Sequence, residues 1–243
     1  MAGPIRAAWT GSAEGDLRPT AADGDAAGPL QALVSSVTTR AGHRSVERIH
    51  WMDQVHGTVV ITVPDPGGHS HPPRGVSARW AGAGDALVAS GTSDALAVLT
   101  ADCASVALGS TNGIFGAVHA GWRGLVGGVV EATVSAMRRQ GAVGVVGALG
   151  PCVHACCYEF GADDLDRVAA AYGDGVRATT RDGRPALDLP AAISAALAAA
   201  GAGRAPGTDV CTGCGGGYFS PRVRGDRGRQ VLVVWANGPP GPV

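Results

Sequence analysis

Apolar and polar positions change spacing several times along the chain, and each change predicts an element. After a start rich in Gly, Ala, Asp and Pro, Leu30, Leu33, Val34 and Val37 recur at helical spacing and predict a short helix. Val46 to Trp51 and Thr58 to Val63 then read as strands on either side of the polar turn Asp53-Gln54-Val55-His56-Gly57. His56 is thereby expected beside a strand end. A Pro/Gly/His loop spans Pro64 to Gly75, and three apolar strand-like runs follow at Asp85 to Ala89, Ala95 to Leu99 and Ile114 to Val118.

From Leu125 to Gln140 the period becomes helical, with Val126, Val129, Val130, Val134 and Met137 on one face. Arg138 and Arg139 suit the negative end of that helix dipole. A strand is predicted at Val145 to Leu149, helices at Ala162 to Tyr172 and Pro190 to Ala200, and a closing strand at Val231 to Trp235. No repeat period or charged linker divides the pattern. The expectation is an α/β fold of mixed α+β character, one domain over residues 1–243 with mixed β-sheets flanked by helices.

Composition narrows the chemistry. With 243 residues, 45% of them apolar, and a net charge of -1, the chain can bury a substantial core. No secretory apolar region or membrane-length apolar run is present, so a soluble, cytoplasmic protein without a membrane partner is expected. All 19 basic residues are arginine. The absence of lysine excludes Schiff-base chemistry and the Walker-type phosphate loop. Aromatics make up 5% of the chain and the arginines are scattered apart from Arg222, Arg224, Arg227 and Arg229, so no nucleic-acid partner is expected. The 6 cysteines are read as reduced thiols available as metal ligands, nucleophiles or core.

Three segments place a metal-binding side chain at a strand end: Gln54-Val55-His56-Gly57, Thr100-Ala101-Asp102-Cys103, and Val118-His119-Ala120-Gly121-Trp122-Arg123-Gly124. Two imidazoles and one thiolate would leave zinc's fourth position open, as catalytic zinc requires. A scaffold histidine or a core cysteine is the simpler alternative for each residue taken alone. Asp85 and Asp102 are the nearest acid/base or substrate-contacting candidates. On a continuing strand Asp102 would point away from Cys103. Gly121, Arg123 and Gly124, just before a predicted helix, are a candidate phosphate cradle, with a tight turn as the alternative.

These segments join Gly84-Asp85-Ala86-Leu87-Val88, Gly150-Pro151-Cys152, Cys156-Cys157-Tyr158-Glu159, Cys211-Thr212 and Tyr218-Phe219-Ser220 in one ordered set. Together they resemble the polyphenol oxidase "laccase domain" family, also called peptidoglycan editing factor or purine nucleoside phosphorylase-like proteins. The resemblance implies zinc on His56, Cys103 and His119. It also implies phosphorolysis or deamination of adenosine, inosine or methylthioadenosine, with nucleosides and phosphate as partners and a role in peptidoglycan fidelity. The N-terminal part departs from the family: a segment that helps form the nucleoside pocket in relatives is abbreviated, with Glu14-Gly15-Asp16-Leu17 its remnant. His154 and Ala155 also stand where relatives carry small residues and proline.

The same residues admit other readings. A multicopper oxidase needs many paired histidines, whereas the chain has 7 and a single H-x-H, His69-Ser70-His71. Cys103 with His119 as base could form a metal-free cysteine hydrolase. Cys211-Thr212-Gly213-Cys214 with Cys156 and Cys157 could form a structural zinc site in a non-catalytic protein, although one CxxC is half of that signature. Oligomeric state leaves no trace in the sequence.

Overall fold

The computed structural model describes residues 5–18, 28–40, 46–64 and 76–237, the side chains of residues 37–40 excepted. The His69-Ser70-His71 motif, the body of its loop and the Val37 side chain lie outside the described residues. The first half of the chain contains β1 (Ile5–Trp9), α1 (Gly28–Arg40), β2 (Arg48–Asp53), β3 (Val60–Thr62), β4 (Ser77–Ala83), β5 (Ala86–Ser90) and β6 (Asp94–Thr100). Then come β7 (Ala104–Gly109), β8 (Ile114–Ala120), α2 (Trp122–Val126), α3 (Val129–Arg139), β9 (Val146–Leu149) and α4 (Ala162–Tyr172). The remainder is β10 (Arg177–Thr179), β11 (Pro185–Leu187), α5 (Leu189–Ala199), β12 (Gly203–Arg204), α6 (Pro221–Arg224) and β13 (Gln230–Ala236).

Two mixed sheets carry the fold, one ordered β1-β13-β6-β2-β4 and the other β12-β9-β7-β8-β5-β3, while β10 and β11 pair separately. Strand alternation decides where each side chain goes. On β6, Leu96 and Val98 enter a core shared with Leu87, Phe115, Leu232 and Val234, which lies between the two sheets. The alternate Ala95 and Ala97 face Leu30 and Val34 of α1. Across the second sheet, Val88, Val106 and Val118 pack against Val130, Val134 and Met137 of α3 and against α4 and α5. The result is a helix–sheet–sheet–helix stack, the mixed α/β domain expected from the pattern.

The predicted helix Leu125 to Gln140 is divided. Gly128 adopts φ 89°, a left-handed conformation that glycine tolerates, and ends α2 before α3 begins. Strand β7 escaped the sequence reading because its run Ala-Ser-Val-Ala-Leu-Gly is short and interrupted by small polar residues. Strands β1 and β4 lack clean apolar alternation, with burial reaching only an intermediate level along much of each. Tertiary pairing formed them where local propensity gave little signal.

The topology creates the site. The chain crosses from the five-stranded to the six-stranded sheet between β2 and β3, between β4 and β5, and again between β6 and β7. His56 occupies the first of these crossings, Asp85 the second and Cys103 the third. His119 reaches the same end of the stack from β8, where it lies opposite Ser105 of β7.

Candidate metal centre

The metal-binding atoms of His56, Cys103 and His119 all lie within 4.8 Å of one another. Cys103 Sγ is 3.9 Å from His56 Nε2, and the two imidazoles meet edge to face at 81° with centroids 4.8 Å apart. His119 is buried, Cys103 half-buried and His56 exposed, so the group has a protein-facing and an open side. Separate elements more than 60 residues apart at their extremes thus bring two imidazoles and one thiol to one point, a group that could hold a metal ion.

Asp85 organises this group. Its carboxylate has no exposed surface, and Oδ1 accepts hydrogen bonds from His119 Nδ1 at 2.8 Å and from the His56 N–H at 2.9 Å. Oδ2 accepts from the N–H groups of Gly57 at 2.6 Å and Val55 at 3.4 Å. These bonds hold His56 at φ 59°, a left-handed conformation that costs a non-glycine residue about 1 to 3 kcal/mol. Gln54 adds a second clamp: its Nε2 donates to the Leu99 carbonyl at 2.7 Å and its Oε1 accepts from Leu99 N–H at 2.9 Å. The sequence motif containing His56 therefore also contains the residue that ties its turn to β6.

Electrostatics follow the same contacts. Burial pushes the Asp85 carboxyl up, but the His119 imidazole and the Gly57 and His56 amides outweigh it and hold the group below the usual carboxylate range. Burial also raises the Cys103 thiol, yet His119 and His56 beside it bring it down to about 6. His119 is pushed down by burial and pulled up more strongly by Asp85 and Cys103, reaching about 9. Without metal, this is a thiolate–imidazolium arrangement backed by a buried carboxylate.

The glycines near His119 have a packing reason. A Cβ on Gly121 would sit 2.8 Å from His56 Cδ2 and 3.3 Å from Cys103 Sγ, and one on Gly124 would meet the Gly57 carbonyl oxygen at 2.6 Å. Helix α2 is a single short turn, so it offers little dipole to an anion. Arg123 lies over the Trp122 ring, 4.5 Å from its centroid. Gly121 and Gly124, candidates for a phosphate cradle or a tight turn, are where backbone closes tightly around His56, Cys103 and Gly57.

Asp102 does not continue a strand, because β6 has already ended and Asp102 takes φ 76° in the bend to β7. Thr212 Oγ1 donates to its Oδ1 at 2.6 Å and Arg222 N–H to its Oδ2 at 2.9 Å. Its oxygens face α6 rather than the three ligands. Asp85 and Asp102 both have their carboxylate oxygens engaged by the protein itself.

A cavity of about 320 Å³ opens on His56, Cys103 and His119, with Trp51, Met52, Asp53, Arg18 and Arg229 also in its wall. A second, of about 440 Å³, lies on the other side of Cys103 beside Asp102, Tyr158 and Arg222. Arg229 belongs to the arginine cluster seen in the sequence, whereas Arg18 carries no such signal there. Asp16 holds both, accepting from the Arg18 guanidinium at 2.6 Å and the Arg229 N–H at 3.2 Å, so the abbreviated N-terminal segment does reach the cavity. His154 is half-buried, and its backbone N–H donates to Cys211 Sγ at 3.4 Å.

Comparison with known proteins places these features in a family. Residues 20–237 match the multi-copper polyphenol oxidoreductase laccase family, and the chain belongs to it. A Streptomyces coelicolor relative named purine nucleoside phosphorylase is 39% identical over 191 residues, covering 77% of this chain and 75% of the relative. A Streptomyces griseus relative of the same name is 38% identical over 218 residues, covering 87% and 85%. In fold, the chain is similar to a crystal structure of a Neisseria meningitidis protein, with TM-score 0.72, 25% identity and coverage of 98% and 99%. These relatives mark a nucleoside-processing family of enzymes.

Proposed function

We propose that this chain is a zinc-dependent purine nucleoside phosphorylase acting on adenosine, inosine or methylthioadenosine with inorganic phosphate. The observation that carries the reading is the convergence of His56, Cys103 and His119 on the wall of a cavity that also contains Arg18 and Arg229. The residues fit the ion: two imidazoles and one lowered-pKa thiol suit zinc, and Asp85 on Nδ1 of His119 leaves Nε2 for the metal. Bound there, zinc supplies Lewis acidity at an open coordination position.

The remaining parts come from the chain. Trp51 and Met52 offer an apolar wall for the base, Asp53 an acceptor, and Arg18 with Arg229 positive charge for phosphate. In phosphorolysis a phosphate oxygen bonds to ribose C1′ as the bond from C1′ to the purine nitrogen breaks, and the base leaves with that electron pair and gains a proton. Small-molecule substrates of this kind accord with a cytoplasmic setting, and a part in peptidoglycan fidelity would be a physiological role for the same site.

Deamination of adenosine at the same centre would draw its acid/base from Asp53, since Asp85 and Asp102 are committed elsewhere. A second reading rests on Cys103, His119 and Asp85, which align as nucleophile, base and orienting acid of a metal-free hydrolase. Incubation with adenosine and phosphate, followed by product identification, separates the three. Adenine with ribose 1-phosphate supports phosphorolysis, inosine supports deamination, and absence of both products overturns the nucleoside reading. Cys103→Ala is expected to lose the metal and the activity while keeping the fold.

A further inference from the structure

A second thiol cluster stands apart from the nucleoside cavity. Cys156 and Cys157 follow β9, Cys211 and Cys214 precede α6, and their four sulfurs all lie within 4.8 Å of one another. Cys156 Sγ is 3.2 Å from Cys214, 3.7 Å from Cys211 and 3.8 Å from Cys157, while Cys157 is 3.5 Å from Cys214. Tetrahedral zinc with thiolates at about 2.3 Å requires sulfur–sulfur edges of about 3.8 Å. Four of the six edges run from 3.2 to 3.8 Å, at that value or up to about 0.6 Å below it, and the other two are within 4.8 Å. A disulfide needs about 2.05 Å, and an iron–sulfur core spreads its thiolates around several atoms.

We propose that Cys156, Cys157, Cys211 and Cys214 form a closed, structural zinc site, separate from the centre at His56, Cys103 and His119. Binding replaces four thiol protons, released to solvent, with one dication, and no oxidant or reductant takes part. Four thiolates leave the site with excess negative charge, which its surroundings counter. Arg181 Nη2 donates to Cys214 Sγ at 3.3 Å, and the His154 N–H donates to Cys211 Sγ at 3.4 Å.

The backbone is arranged for such closure. A Cβ on Gly213, inside the Cys211–Cys214 spacing, would lie 2.9 Å from Cys157 Cβ and 3.0 Å from its sulfur, so glycine there lets the two segments meet. Cys152 and Cys211 form a β-bridge, and Thr212 N–H donates to the Cys152 carbonyl at 3.0 Å. The same loop carries Thr212, whose hydroxyl holds Asp102 beside Cys103. A metal at this position would therefore staple the loop that supports one edge of the reactive centre.

The test is metal analysis of the full chain purified under reducing conditions, as wild type, His56→Ala and Cys214→Ser. The proposal expects two zinc ions per wild-type chain and one in each variant. Cobalt loaded into His56→Ala should give the spectrum of a tetrahedral tetrathiolate site, lost on adding Cys214→Ser. The cobalt spectrum keeps the proposal testable if a variant binds zinc poorly through misfolding. A single wild-type zinc that survives Cys214→Ser, or a Cys156–Cys214 disulfide in the reduced preparation, would overturn it. Loss of nucleoside activity in His56→Ala bears on the proposed function alone.

Discussion

Asp85 Oδ1 accepts one hydrogen bond from His119 Nδ1 at 2.8 Å and another from the backbone N–H of His56 at 2.9 Å. A single oxygen of a fully buried acid thus orients one imidazole directly and positions the other through its backbone. Both histidines depend on it, though neither sequence segment contains it.

Replacing Asp85 should accordingly affect metal binding more than substrate contact. Asp85→Asn is expected to weaken zinc affinity by about 10- to 100-fold, the usual effect of losing an outer partner of a ligating histidine. Asp85→Ala should also destabilise the fold by about 3 to 5 kcal/mol, because three backbone N–H groups and His119 lose their acceptor. Zinc titration and urea unfolding check the two effects. Unchanged affinity in Asp85→Asn would remove the orienting role.

Zinc uptake should depend on pH with a defined sign. In the metal-free protein His119 keeps its proton up to about 9, while the Cys103 thiol loses its proton above about 6. Between these values zinc displaces about one proton, so affinity should rise about tenfold per pH unit and flatten above about 9. Below about 6 the thiol proton must leave as well, and the slope should double. Calorimetry in buffers of different ionisation enthalpy measures the proton release.

Gly121→Ala isolates a steric effect. Gly121 has φ -66° and ψ 154°, which alanine adopts freely, but the new Cβ would press on His56 Cδ2 at 2.8 Å. Activity should fall by about 100-fold through displacement of His56, in line with the cost of an ångström-scale misplacement, while the far-ultraviolet circular dichroism spectrum stays that of the wild type. Wild-type turnover in Gly121→Ala would show that His56 has room to move without consequence.

Phosphate recognition is expected at the cavity mouth. Arg18→Ala and Arg229→Ala should each raise the KM for phosphate by about tenfold with zinc content unchanged. Arg123→Ala should leave that KM within about twofold, since its guanidinium rests on Trp122. Steady-state kinetics at varied phosphate decide between the two sets.

His56, Cys103 and His119, which the fold brings within 4.8 Å of one another, were legible as candidates because each sits in a short, distinctive segment at the end of an apolar run. The sequence also made the mixed α/β character and the strands around His119 legible through their alternation. What it hid was long-range. Gln54 clamps Leu99, 45 residues away, and Thr212 clamps Asp102, 110 residues away, pairings that no local period encodes. On a continuing strand Asp102 would point away from Cys103, but a left-handed bend turns the chain there. The four-cysteine cluster looked like half a signature because its second pair is Cys156-Cys157, adjacent residues rather than a spaced pair, and only folding brings them to Cys214. The glycines around Arg123 suggested an anion cradle, whereas their neighbours in space are His56, Cys103 and Gly57.

The most direct test of the central claim is phosphate-dependent cleavage of adenosine or inosine by protein stripped of metal with a chelator and then reloaded with zinc. The stripped protein is expected to show no turnover, and adding zinc to restore release of free purine and ribose 1-phosphate. Full activity in the stripped protein, or cleavage indifferent to phosphate, would contradict that claim.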